Sequence, residues 1–145
     1  MSDKIILLVE DNPVDAIMTE EAFREANLPA CLRVVRDGME ALDYLYKRGP
    51  NANAESPAFI FLDLNLPKKD GRQVLAEIKA DPILKSIPVA ILSSSQDKHD
   101  IAMSYELHAN CYIVKPSKLD ELVDSCKAIE HFWFNVARLP GGDGL

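Results

Sequence analysis

Five short apolar runs punctuate the chain, and each gives way to a segment whose apolar residues recur at helical spacing. Lys4-Ile5-Ile6-Leu7-Leu8-Val9 is nearly continuous rather than alternating, which predicts a strand buried on both faces. From Pro13 to Asn27 the residues Ile17, Met18, Ala22, Phe23 and Ala26 fall near one helical face, and Asn27-Leu28-Pro29 stops the helix. A weaker strand at Leu32–Val35 and a helix at Met39–Lys47 follow, then a soft loop from Gly49 to Pro57. The strongest strand pattern is Ala58-Phe59-Ile60-Phe61-Leu62, leading through a turn to a helix with Val74, Leu75 and Ile78 inward. Pro88–Leu92 predicts a fourth strand and Asp97–His108 a fourth helix. Cys111–Val114 predicts a fifth strand and Lys118–Val136 a last helix, with Leu119, Leu122, Val123, Cys126, Ile129 and Trp133 in its apolar stripe. Alternation of strand and helix with non-alternating strands predicts an α/β fold: a doubly wound, parallel, five-stranded sheet with helices on both faces.

Composition narrows the partners. The 145 residues hold 16 Lys and Arg against 23 Asp and Glu, a formal charge of −7, which argues against nucleic acid or an anionic membrane as the main partner. At 48% apolar the chain is long and greasy enough for one real core, and disorder is excluded. No uncharged run approaches a membrane span, and the N-terminus turns acidic too soon for a secretory signal. The three cysteines, Cys31, Cys111 and Cys126, lack zinc-ligand spacing and read as buried reduced thiols of a cytoplasmic protein. The expected organisation is one domain over 1–138 with a flexible tail at 139–145, and no output domain after Pro140.

The chemistry collects at strand ends. Glu10-Asp11 follows the first strand, Asp63 the third, Ser93 the fourth and Lys115 the fifth. Open α/β sheets bind ligands beyond the carboxyl ends of their strands, so these groups should share one edge. Three clustered carboxylates repel unless compensated, and Mg²⁺, which prefers oxygen ligands and keeps several waters, would relieve them. An ammonium and a hydroxyl beside them complete the set needed for in-line phosphoryl transfer to a carboxylate.

Four motifs stand in order: Leu8-Val9-Glu10-Asp11-Asn12, Phe61-Leu62-Asp63-Leu64-Asn65-Leu66-Pro67 with Asp70-Gly71, Pro88-Val89-Ala90-Ile91-Leu92-Ser93-Ser94, and Tyr112-Ile113-Val114-Lys115-Pro116. Together they make the chain resemble a receiver domain of bacterial response regulators, from Lys4 to about Ile129. The resemblance implies strand order 2-1-3-4-5, with Asp63 accepting phosphate from a phosphohistidine of a sensor histidine kinase. It implies that Asp11 binds Mg²⁺ directly and Glu10 through water, with Asp63 and the Asn65 carbonyl as further ligands. Ser93 and Lys115 would hold the phosphoryl oxygens, Tyr112 would turn inward when Ser93 moves, and Asn65 and Ser95 would tune hydrolysis. The Lys115-Pro116 bond would be cis. The Asn51–Pro57 loop, the run Ser104–Ile113 and Ile129-Glu130-His131-Phe132-Trp133-Phe134 further resemble stand-alone receivers serving phytochrome-type kinases.

Plainer readings stand beside these. Glu10-Asp11 also suits a helix start before Pro13, Tyr112 a plain core or surface aromatic, and Asn65 and Ser95 ordinary turn residues. His99, His108 and His131 lie apart, and Lys68-Lys69 reads as a solvated turn. Glu10 and Ser93 depart from the commoner Asp and Thr of the family, by one methylene and one methyl group. Phe132, Trp133, Phe134 and Val136 cannot all face inward, so Phe132, Phe134 and Val136 are expected to form a homodimer surface on the last helix, unless that end folds back on its own domain. Two other functions compete: a Mg²⁺-dependent aspartyl phosphohydrolase, disfavoured because Asn65 stands where its second acid is needed, and a pseudo-receiver that is never phosphorylated.

Overall fold

The computed structural model describes residues 4–140. A five-stranded sheet, all parallel in the order β2-β1-β3-β4-β5, is built from β1 (Lys4–Val9), β2 (Ala30–Val35), β3 (Phe59–Leu62), β4 (Val89–Ser93) and β5 (Cys111–Val114). Between and after them run α1 (Pro13–Ala26), α2 (Gly38–Leu45), α3 (Gly71–Ala80), α4 (Lys98–Glu106) and α5 (Leu119–Glu130). Period-two side chains of the inner strands divide the core into two layers. Leu7, Val9, Ile60, Leu62, Val89 and Ile91 pack with α2 and α3, while Ile6, Leu8, Phe59, Phe61, Ala90 and Leu92 pack with α1 and α5.

The first four helices, α1 to α4, each start where a strand's exit loop supplies a side-chain acceptor for free N–H groups, whereas α5 has no side-chain cap. Asn12 Oδ1 takes the Val14 and Asp15 N–H groups at 2.9 and 3.0 Å, Asp37 caps α2, Asp70 and Gln73 form a reciprocal box at α3, and Asp97 caps α4. The same loops that carry the polar strand-end residues therefore also anchor these helices.

Four expectations change. Ile17 is 65% exposed, because the buried stripe of α1 runs through Ala16, Thr19, Ala22 and Phe23. Thr19 can face inward because its hydroxyl donates to Asp15 O at 2.9 Å, leaving no unpaired polar atom there. The last helix is α-helical only to Glu130 and closes with a π turn over His131–Val136, where Ala137 N–H donates to Phe132 O. A turn closing i to i+5 rotates less per residue, so both Trp133 and Phe134 reach the α1/α5 core; Phe134 does not project outward as expected. Trp133 packs at a tilt against Phe59 with centroids 5.7 Å apart, and Phe132 and Val136 remain 51% and 60% exposed. The Lys115-Pro116 bond is trans, as is every peptide among the described residues, in keeping with the intrinsic preference of such bonds.

The cysteines are all free, though only Cys126 is buried and Cys31 and Cys111 are half-buried. Among the described residues no helix is long and apolar enough to cross a membrane. Of the expected tail, residues 141–145 lie outside the described residues.

Candidate functional site

Parallel strands bring their carboxyl ends to one edge, and backbone hydrogen bonds extend the register just past them. Glu10 N–H donates to Val35 O at 3.0 Å, Asp63 N–H to Val9 O at 3.1 Å, and Lys115 N–H to Ser93 O at 2.8 Å. Glu10, Asp63 and Ser93 are therefore buried at the top of the sheet, at 1%, 7% and 0% exposure, and Asp11 is exposed beside them. One ligand oxygen each from Glu10, Asp11 and Asp63 can be chosen so that all lie within 4.8 Å of one another.

Lys115 Nζ sits in this acidic end, 2.6 Å from Glu10 Oε1, 2.9 Å from Asp15 Oδ2 and 3.1 Å from Asp63 Oδ2. Asp63 Oδ1 accepts the Asn65 N–H at 3.3 Å, and Glu10 Oε2 accepts the Asn12 N–H at 3.2 Å. Glu10 Oε1 is buried with the Lys115 ammonium close by but without an aligned hydrogen bond. Burial pushes the Glu10 carboxyl up to about 7, with the Asp63 charge adding to the rise and Lys115 opposing it. Burial would lower the Lys115 ammonium, but the Glu10 and Asp15 carboxylates set against it outweigh that and hold it above its ordinary value. An under-satisfied buried oxygen among three clustered carboxylates fits a hard divalent cation, which would both complete the bonding of Glu10 and let all three acids ionise.

The loop after Asp63 is clamped from both sides. A Cβ on Gly71 would come within 2.1 Å of Asp63 O, and one on Gly38 within 2.0 Å of Lys69 O. Only glycine permits these approaches, which fix the path of the chain that carries Asn65. Lys68 and Lys69 are tied to Asp37 at 3.5 Å and Glu77 at 2.7 Å, so both are engaged within the domain.

The hydroxyl side of the site is a chain of polar contacts. Ser95 N–H donates to Ser93 Oγ at 3.2 Å, Tyr112 Oη–H donates to Ser95 O at 2.9 Å, and Ser95 Oγ–H donates to Asp100 Oδ2 at 2.7 Å. Asp100 Oδ1 accepts from Arg72 Nη2 at 2.8 Å, which ties α4 to α3. The Ser95 hydroxyl and then Arg72 hold the Asp100 carboxyl below its usual range, and the Asp100 partner raises the Arg72 guanidinium. Thus Tyr112 and Ser95, singled out from sequence, are joined through the β4–α4 loop, and His99, His108 and His131 take no part in the site.

Sequence reasoning missed Asp15 and the Arg72–Asp100 pair. Asp15 reads as an ordinary acid of a first helical turn, and its proximity to Lys115 spans 100 positions of chain. Arg72 and Asp100 lie on different helices, and no spacing rule joins them.

A parallel 2-1-3-4-5 sheet with an acid pair, a strand-end aspartate, a hydroxyl and a lysine at one edge defines a class, and the chain belongs to it: residues 6–127 match the response regulator receiver domain family. Among its relatives, the response regulator Rcp1 of Synechocystis sp. is 45% identical over 137 residues, covering 94% of this chain and 93% of the relative. The crystal structure of the phosphorylated cyanobacterial phytochrome response regulator RcpA superposes with a TM-score of 0.90 at 53% identity, covering 97% of this chain and all of that one (100%). The Mn²⁺-bound form of Rcp1 gives a TM-score of 0.86 at 45% identity, over 95% and 99% of the two chains.

Proposed function

We propose that this chain works in a two-component phosphorelay, taking a phosphoryl group on Asp63 from a sensor histidine kinase of the phytochrome type. The observation that carries the reading is the buried acidic end itself, where Glu10, Asp11 and Asp63 meet around Lys115 at the strand termini. Kinship with phytochrome response regulators, one of them solved in a phosphorylated form, supports the choice of donor.

Glu10, Asp11, Asp63 and the Asn65 carbonyl are the groups that would hold Mg²⁺; the relative solved with Mn²⁺ supports a divalent cation there. Such an ion would supply positive charge that offsets the negative charge of the gathered carboxylates and of an incoming phosphoryl group. An Asp63 carboxylate oxygen attacks phosphorus as the phosphorus–nitrogen bond of the phosphohistidine breaks. The products are an aspartyl phosphate and an imidazole that takes up a proton. Lys115 then pairs with a phosphoryl oxygen, and the Ser93 hydroxyl donates to another. Because Ser95 N–H rests on Ser93 and Tyr112 on Ser95, moving Ser93 inward draws the β4–α4 loop with it and lets Tyr112 follow. The face formed by α4 and β5 is thereby what partners read. The chain catalyses only its own phosphorylation and dephosphorylation and has no external turnover substrate.

In this reading a cytoplasmic receiver occupies 1–138 and associates as a homodimer through the end of the last helix, with Phe132 and Val136 as its exposed apolar residues. Phe134 packs against its own core and drops out of that surface. A light-scattering mass of one chain at high concentration, with and without phosphorylation, would rule the dimer out. The phosphoryl reading is tested by intact mass after incubation with Mg²⁺ and a small acyl-phosphate donor. One phosphoryl adduct is expected, lost without Mg²⁺ and lost in Asp63→Asn; a folded, Mg²⁺-binding protein that forms no adduct contradicts it.

A further inference from the structure

Three carboxylates hold Lys115, and one of them stands outside the metal-binding group. The ammonium donates to Asp15 Oδ2 at 2.9 Å and to Asp63 Oδ2 at 3.1 Å, and it pairs with Glu10 Oε1 at 2.6 Å by charge, without an aligned hydrogen bond. Asp15 lies on the first turn of α1, apart from the Glu10, Asp11 and Asp63 cluster, and its side chain is 36% exposed where that of Glu10 is 1%. Its backbone is fixed: the N–H donates to Asn12 Oδ1 and the carbonyl accepts the Thr19 hydroxyl. The carboxylate therefore reaches Lys115 from a rigid origin.

We infer that Asp15 is a positioning residue that shares Lys115 with the acceptor and so opposes an anionic group on Asp63. The inference rests on Asp63 being the phosphoryl acceptor. An arriving phosphoryl group must draw the ammonium away from Asp15 and must come to lie near the Asp15 carboxylate, and both disfavour it. The same carboxylate favours a cation at the neighbouring acids. Its charge thus acts with opposite sign on the two ligands of the site. A residue that only starts a helix has no such pattern, since loosening α1 would weaken both ligands together.

The test uses the full chain and two equilibrium probes: Mg²⁺ alone, and trifluoroberyllate at saturating Mg²⁺ as a non-covalent stand-in for the phosphoryl group, both followed by calorimetry. Asp15→Asn keeps the size and an oxygen acceptor but removes the charge. It is expected to tighten trifluoroberyllate about fivefold and to weaken Mg²⁺ about threefold. Asp15→Glu, which keeps the charge, should stay near the wild-type values, and Glu20→Gln on the exposed face of α1 should leave both constants within about twofold. If Asp15→Asn does not fold, Asp15→Ser keeps a polar group at the helix start and should give the same pair of shifts. Both ligands weakening together, or trifluoroberyllate unchanged, overturns the role of Asp15 alone. A wild-type chain that binds neither probe overturns the acceptor reading and this inference with it.

Discussion

Helices α3 and α4 follow the two central strands that carry Asp63 and Ser93, yet they are held in opposite ways. Val74, Leu75 and Ile78 of α3 are fully buried at 0% exposure, in contact with strand residues of the same layer. The one buried residue of α4 is Ser104, whose hydroxyl turns back to Asp100 O at 2.8 Å. What attaches α4 is polar: Asp97 at its cap, Asp100 between Ser95 and Arg72, and Tyr105 Oη accepting the Tyr112 N–H at 3.2 Å. Close-packed aliphatic side chains resist small displacements, whereas hydrogen bonds worth about 1 kcal/mol each exchange partners readily. The helix beside Asp63 is thus a fixed wall and the helix beyond Ser93 a movable one.

The contrast can be broken most strongly at α3. Ile78→Ala should lower the unfolding free energy by about 4 kcal/mol in urea denaturation, whereas Ile101→Ala on the half-buried side of α4 should lose about 1 kcal/mol. Equal losses would show that α4 is packed as α3 is.

Titration of Glu10 gives the next effect. A carboxyl raised from 4.5 to about 7 in the fold binds more protons folded than unfolded across that window. Stability of the metal-free chain should therefore fall as pH rises from 4.5 to 7, by about 2 kcal/mol, and Glu10→Gln should flatten the slope. Saturating Mg²⁺ should remove the loss near pH 7, because the ionised form is then compensated. A metal-free stability that rises over that window contradicts the burial of an uncompensated acid at this end of the sheet.

Arg72→Gln removes the tie between α3 and α4 at its fixed end. Amide exchange in α4 should quicken about fivefold, with α3 unchanged. The smallest effect is expected from Tyr112→Phe, which deletes only the bond to Ser95 O and should lower stability by about 0.5 kcal/mol while raising exchange in the β4–α4 loop.

The same difference explains what could be read from sequence. The core-facing pattern of α3, the non-alternating β1, β3 and β4 and the strand-end residues Glu10, Asp11, Asp63, Ser93 and Lys115 are all dictated by burial and chain direction, which leave a periodic trace. The order of the strands is legible only through family resemblance, because periodicity says which strands are buried and not which are neighbours. Ile17 misled because a threonine that satisfies its own hydroxyl can replace an isoleucine on a buried face. Phe134 turns inward against its α-helical spacing because a π turn, which leaves no periodic trace of its own, closes the helix there. Asp15 at Lys115 and Arg72 at Asp100 left no trace, since a contact between charged side chains on separate elements imposes no spacing along the chain.

The most direct measurement is amide hydrogen exchange of the full chain, with Mg²⁺ present throughout, before and after phosphorylation by a small acyl phosphate. Protection should change in the stretch from Ser94 to Val114, through the β4–α4 loop, α4 and β5, while Val74, Leu75 and Ile78 stay as they were. A chain that carries a phosphoryl group on Asp63 and shows equal change in α3 and α4, or none in α4, would contradict the division into a fixed and a movable wall.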